Sequence, residues 1–217
     1  MRLNNYIDHT LLKPVASTTD IVQLCEEAKI HNFYAVCVNG CHLPLVKKQL
    51  VGTQVKIAAV IGFPLGATST KAKICEAKIC IAHGADEIDM VINLGWLKSG
   101  KFNLVLDELK AIKTVVGNQV LKVIIETCYL TQEEKIKACG LVTQAKADFI
   151  KTSTGFGSGG ATVEDIELMR QTVGNNVRIK ASGGIKDAKT ALRYIDLGVD
   201  RIGTSSGVAI VLSELNL

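Results

Sequence analysis

The sequence is poor in aromatic residues, at 5 % of the chain, and holds only three prolines. With 47 % hydrophobic residues, its core must be built from Ile, Val, Leu and Ala. It has no block of Lys or Arg. The 25 basic and 21 acidic residues are spread along it, for a net charge of +4. That argues against a nucleic-acid-binding arm and suits an anionic small molecule. No apolar run can span a bilayer, since the longest, Ile57 to Ala67, is short and broken by Gly and Pro. The opening M-R-L-N-N-Y-I-D-H lacks a signal-peptide core, so a cytoplasmic protein without membrane contact is expected. The seven cysteines form no C-x-x-C pair. Cys37, Cys41 and His42 come nearest to a metal cluster, but no second pair follows at zinc spacing, and H-x-H and H-E-x-x-H are absent. The expectation is no metal, and buried structural thiols in a reducing compartment.

What is present is repetition. Short β-leaning runs recur every ~25–30 residues with helical patterns between them. The runs are Tyr6–Leu12, Tyr34–Asn39, Val55–Gly62, Asp86–Asn93, Leu121–Thr127, Phe149–Gly155, Arg178–Gly184 and Arg201–Thr204. Helix starts are marked by Ser17-Thr-Thr-Asp20 and by the capping box Thr131-Gln-Glu-Glu134. Apolar faces follow at helical spacing: Ile21, Leu24, Cys25 and Ala28; Ile74, Ala77 and Ile81; Phe102, Val105, Leu106, Leu109 and Ile112. Eight uninterrupted βα units predict an α/β protein, a single (β/α)8 TIM barrel spanning residues 1–217 as one domain. An open doubly wound sheet fits less well, because the first strand–helix turn lacks G-x-G-x-x-G.

Two segments, F-I-K-T-S-T-G and R-I-K-A-S-G-G, share the pattern I-K-x-S-x-G one strand–helix unit apart. As parallel neighbours ~4.8 Å apart they aim Lys151 and Lys180 the same way. Period-two alternation turns Ile88, Met90, Ile92, Val123, Ile125, Thr127, Ile150, Thr152, Ile179 and Ala181 toward the helices. Glu87, Asp89, Val91, Asn93, Lys122, Ile124, Glu126, Lys151, Ser153, Arg178, Lys180 and Ser182 then face inward. A barrel interior holding Asp89, Lys122, Lys151 and Lys180 is unusually charged. Ion pairing alone is one reading. An amine nucleophile beside a second cation is the sharper one, because burial and a neighbouring cation both depress a lysine from its free value of ~10.4. Gly155, Gly183-Gly184 and Gly203-Thr-Ser-Ser206 all lie just past C-terminal strand ends. There, backbone N–H groups and a helix N-terminus can cradle phosphate.

These residues sit in longer motifs: I-D-H-T-L-L-K-P (Ile7–Pro14), A-V-C-V-N (Ala35–Asn39), V-I-G-F-P-L-G (Val60–Gly66), G-A-D-E-I-D-M-V-I-N (Gly84–Asn93), K-V-I-I-E-T (Lys122–Thr127), A-D-F-I-K-T-S-T-G-F (Ala147–Phe156), K-A-S-G-G-I (Lys180–Ile185) and R-I-G-T-S-S-G (Arg201–Gly207). Over nearly its whole length the chain resembles the deoxyribose-phosphate aldolase family of class I aldolases. The resemblance implies reversible cleavage of 2-deoxy-D-ribose 5-phosphate to acetaldehyde and D-glyceraldehyde 3-phosphate, in deoxyribose phosphate catabolism, with no metal and no organic cofactor. It makes Lys151 the Schiff-base lysine, Lys180 the lysine that lowers its pKa or donates a proton, and Asp89 the proton donor and acceptor through a water. It places phosphate on Gly155, Gly183, Gly184, Gly203, Ser205 and Ser206, with Asp8, Cys37 and Lys122 lining the pocket. It implies a homo-oligomer, dimer or tetramer. Some members carry a tail with a C-terminal tyrosine that assists proton transfer. This sequence ends Ser213-Glu-Leu-Asn-Leu217, which leaves the last proton shuttle to another group. Another Schiff-base phosphosugar aldolase of the transaldolase type, or a non-catalytic phosphosugar-binding barrel, are the alternatives.

Overall fold

In the computed structural model, which describes residues 2–214, eight parallel strands close into one barrel in sequence order. They are β1 (Ile7–Leu11), β2 (Ala35–Asn39), β3 (Lys56–Ile61), β4 (Glu87–Val91), β5 (Val120–Ile124), β6 (Phe149–Lys151), β7 (Arg178–Ser182) and β8 (Arg201–Thr204). β1 pairs with both β2 and β8, so the sheet has no edge. Outside lie α1 (Thr18–Ile30), α2 (Leu43–Gln49), α3 (Thr70–Ala82), α4 (Leu94–Lys98), α5 (Phe102–Val116), α6 (Gln132–Gln144), α7 (Val163–Val173), α8 (Ala188–Asp196) and α9 (Gly207–Glu214). Among the described residues, no helix is long and apolar enough to cross a membrane. The C-terminal residues Leu215–Leu217, where the tail argument falls, lie outside the described residues.

The sequence patterns act as expected in most places. Both capping boxes form, at Ser17/Asp20 and Thr131/Glu134. The outward strand residues Ile88, Met90, Ile92, Val123, Ile125, Ile150, Ile179 and Ala181 pack with Ile21, Leu24, Cys25 and Ala28 of α1 and their counterparts on other helices, in one apolar layer around the barrel. Five expectations need correction. α4 is an extra turn that the repeat spacing does not reveal; Asn93 caps it, its side chain accepting from the Trp96 N–H at 3.0 Å.

The buried residues of α3 include Lys73, Ala77 and Cys80, while Ile74 and Ile81 are only half-buried. Lys73 turns inward because it has partners there: its Nζ donates to Glu108 Oε2 and to the Val91 carbonyl, both at 2.8 Å. A periodicity argument counts lysine as surface and so rotates the helix wrongly.

β5 stops at Ile124 instead of reaching Thr127. Glu126 takes φ 50° and ψ 67°, and Thr127–Tyr129 form a 3-10 turn. Arg178 keeps the inward register beside Phe149 but lies exposed at the N-terminal barrel mouth, its guanidinium 4.1 Å from the Phe149 ring centre. Of the thiols, Cys25, Cys37, Cys80 and Cys139 are buried, but Cys41 and Cys75 are exposed and Cys128 is half-buried. Cys41 and Cys75 fall on a turn and a solvent-facing helix side, and Cys128 lies against Gly157 and Gly159 of the loop after β6.

Candidate active site

A cavity of about 350 Å³ opens at the C-terminal ends of the strands. Gly155, Gly183, Gly184, Gly203, Ser205 and Ser206 all line it, and so does Lys151. The structure thus gathers every glycine and serine expected at the phosphate site around the mouth that Lys151 faces. Lys13 and Lys186 also line it, and sequence reasoning singled out neither. The signal available was a lysine beside the turns K-P and G-G-I-K.

The close glycines have steric reasons. A β-carbon on Gly203 would lie 3.0 Å from both Lys180 Cε and Ser182 Cβ, so a side chain there would press on the lysine. A β-carbon on Gly160 would come within 2.2 Å of the Gly183 carbonyl oxygen, so the loops after β6 and β7 touch only because neither has a side chain.

Asp8, Cys37, Asp89, Lys122 and Lys180 do not line the cavity; they are fully buried within the barrel. β-pairing sets Lys151 opposite Lys180, and Asp89 opposite Lys122. Asp89 is the hub. Its Oδ2 accepts from Lys151 Nζ at 2.9 Å and Lys180 Nζ at 2.8 Å, and its Oδ1 from Lys122 Nζ at 2.6 Å. Lys180 also donates to Asp8 Oδ2. Lys122 lies 2.6 Å from Glu87 Oε2. Arg201, which sequence reasoning left as an ordinary strand residue, completes the set. Its Nη1 is 2.8 Å from Asp8 Oδ1 and 3.4 Å from Glu87 Oε2, and its guanidinium lies 3.4 Å from the centre of the Tyr34 ring. A charged first residue of a strand ordinarily reads as solvent-facing, and here its partners lie on β1 and β4.

Each charge is fixed by the others. Burial pushes the Asp8 carboxyl up, but Lys180, Arg201 and Lys122 together hold it well below the carboxylate range. Burial opposes ionisation of Asp89 too, and Lys122, Lys151 and Lys180 overcome it, so Asp89 stays an anion. Burial works against the Lys180 ammonium, and Asp8 and Asp89 raise it nonetheless. Lys122 is raised likewise, against burial, by Asp89 and Glu87. The Cys37 thiol is pushed up by burial and by Asp89, so it stays protonated and packs with Leu12, Ala58 and Val60. Cys41 is exposed and apart from Cys37, and no group of three or more His, Cys, Asp or Glu side chains among the described residues is placed to hold a metal ion.

The interior therefore holds three carboxylates, Asp8, Glu87 and Asp89, and four basic groups, Lys122, Lys151, Lys180 and Arg201. Lys122 touches all three carboxylates, and Lys180 and Arg201 touch two each. Lys151 touches one, through an oxygen it shares with Lys180, and it alone of the four faces the cavity. Four basic groups thus face three carboxylates, and Lys151 is the one of the four with a single carboxylate contact and an open side.

The whole barrel has known counterparts. Residues 3–213 match the family model described as DeoC/LacD family aldolase. The chain is 54 % identical over 211 residues to the deoxyribose-phosphate aldolase of Brevibacillus brevis, covering 97 % of this chain and 96 % of that one. Among solved structures, an aldolase designated QR15 superposes with a TM-score of 0.95 at 43 % identity, covering 99 % of this chain and 96 % of that one. The tetrameric deoxyribose phosphate aldolase of Aeropyrum pernix superposes with a TM-score of 0.90 at 30 % identity, covering 98 % and 91 %. A charged barrel with one of its interior lysines open to a glycine-lined mouth thus has its setting: the chain is an aldolase and belongs to the DeoC/LacD aldolase family.

Proposed function

We propose that this aldolase cleaves 2-deoxy-D-ribose 5-phosphate reversibly to acetaldehyde and D-glyceraldehyde 3-phosphate, with Lys151 as the Schiff-base amine. The observation that carries this is the position of Lys151, open to the cavity and sharing Asp89 Oδ2 with a fully buried Lys180. The neutral Lys151 amine adds to the C1 aldehyde of the open-chain sugar, and loss of water gives an iminium. A base takes the C3 hydroxyl proton, the C2–C3 bond breaks, and its electron pair passes to the iminium to form an enamine. D-Glyceraldehyde 3-phosphate leaves. An acid protonates C2 of the enamine, and water releases acetaldehyde and the free lysine.

Once the Lys151 nitrogen turns to bond the sugar carbon, its contact to Asp89 Oδ2 is released and a water can take its place. Asp89 through that water serves as acceptor and later donor, while Lys180 keeps its charge and stays a fixed cation beside the reacting carbon. Gly155, Gly183, Gly184, Gly203, Ser205 and Ser206 are the phosphate-binding set, and the Lys13 and Lys186 ammonium groups at the same mouth favour a dianion there. Cys37 is a packing residue beside the site. A homo-oligomer is part of the reading, supported by the tetrameric relative.

The test is borohydride trapping. Incubation with 2-deoxyribose 5-phosphate, reduction and peptide mapping should place the adduct on Lys151, alongside retro-aldol turnover. Turnover without an adduct, or an adduct on other lysines, would overturn the assignment. A protein that binds the sugar phosphate but turns nothing over would be a non-catalytic barrel.

A further inference from the structure

Glu126 is a second buried carboxylate site that the reaction above does not use. It is 2 % exposed, yet no basic side chain among the described residues pairs with it. A carboxylate buried without a cation must be satisfied by hydrogen bonds. Apart from a long contact from the Cys128 thiol, 4.0 Å from Oε1, its donors come from the loop that follows Lys151. The Thr154 N–H donates to Oε1 at 3.1 Å and Oε2 at 3.2 Å, and the Thr154 hydroxyl donates to Oε2. The same hydroxyl accepts from the Phe156 N–H at 3.0 Å. The loop runs close over the carboxylate: a β-carbon on Gly157 would sit 3.3 Å from Glu126 Cδ.

To reach this position Glu126 adopts the left-handed conformation, φ 50°, which is unfavourable for any residue with a β-carbon. Such an outlier persists where the surroundings fix it. Here the fixed object is the loop. Of the consecutive amides at 154, 155 and 156, the first and third are engaged within the Glu126–Thr154 chain. The N–H of Gly155, φ 84°, finds no acceptor among the described residues. Thr154, Gly155 and Phe156 all line the cavity, whereas Glu126 does not.

We propose that Glu126 is a positioning residue for substrate binding: acting through Thr154, it holds the Gly155 amide free for an oxygen of the bound sugar phosphate. The proposal rests on the aldolase reading above. It assigns Glu126 no proton transfer and no contact with substrate.

The experiment compares Glu126→Gln, Thr154→Val and Thr154→Ser with the unaltered protein. It reads KM and kcat for 2-deoxyribose 5-phosphate, and separately the rate of borohydride trapping of acetaldehyde, which has no phosphate to place. Glu126→Gln and Thr154→Val should each raise KM about tenfold, the effect of one well-placed hydrogen bond, with kcat changed far less. Thr154→Ser keeps the hydroxyl and should recover most of the loss. Acetaldehyde trapping on Lys151 should stay within about twofold in all three. An unchanged KM in Thr154→Val would overturn the proposal. So would trapping of acetaldehyde that slows in step with sugar cleavage, because the defect would then lie in the lysine or the fold. If Glu126→Gln does not fold, the Thr154 pair decides. Failure of the aldolase reading shows separately, as absence of the Lys151 adduct in the unaltered protein.

Discussion

The two sides of the barrel interior are built on opposite principles. On β1 to β3, and the turns after β1 and β3, the inward residues Leu12, Cys37, Ala58, Val60 and Phe63 form a small apolar cluster of their own. From β4 round to β8 the interior is ionic, with Glu87, Asp89, Lys122, Lys151, Lys180 and Arg201, and Asp8 of β1 joins it across the β1–β8 seam. The apolar side keeps water out, which strengthens every charge–charge interaction opposite. The ionic side cannot relax by hydration, so its charge count matters. Of the two register partners, Lys180 is enclosed among carboxylates, while Lys151 keeps one carboxylate contact and opens on the cavity.

The largest effect should come from Lys151→Met. Turnover should fall by at least ~10⁴-fold, as for other nucleophile deletions, read as retro-aldol rate. Its thermal midpoint should hold or rise, because three cations then face three carboxylates. Lys122→Met sets the contrast. It leaves Glu87 and Asp89 short of a partner and should cost about 3–5 kcal/mol in denaturant unfolding. Equal stability losses in the two variants would break the charge-balance account.

Acid should act on the same side. Asp8 and Asp89 have folded-state values depressed by their cations, so their stabilisation is present above the unfolded value of ~3.9 and is lost as pH falls through the lower folded values. The thermal midpoint should stay level from neutrality to about pH 5 and drop below about pH 4, and the drop should be shallower in Asp8→Asn, which starts from lower stability. A drop of the same steepness in Asp8→Asn would remove Asp8 from the account.

The smallest effect lies on the apolar side. Cys37→Ala should cost roughly 1 kcal/mol by loss of packing and leave borohydride trapping on Lys151 intact. Loss of trapping would move Cys37 from packing to chemistry.

Much of this was legible in the sequence. Period-two alternation in the runs Asp86–Asn93, Leu121–Thr127, Phe149–Gly155 and Arg178–Gly184 placed Asp89, Lys122, Lys151 and Lys180 inside, and strand-end glycines marked the mouth. What escaped reading depends on partners distant in sequence. Arg201 is inward because Asp8 and Glu87 wait for it, and Lys73 because Glu108 does. Glu126 leaves its strand because Thr154, on another loop, claims its carboxylate. Alternation and helical period weigh each residue by its own polarity, and a buried ion pair is invisible until both members are in place.

The most direct test of the central claim is the pH dependence of Schiff-base formation in Lys180→Met beside the unaltered protein. Lys180 is held charged by Asp8 and Asp89, and its removal takes away the cation that shares Asp89 with Lys151. The rate of acetaldehyde trapping should fall at neutral pH, and its rise should move to higher pH. A profile that keeps its position, with only its height changed, would contradict the claim that the Lys180 cation governs the reactivity of Lys151.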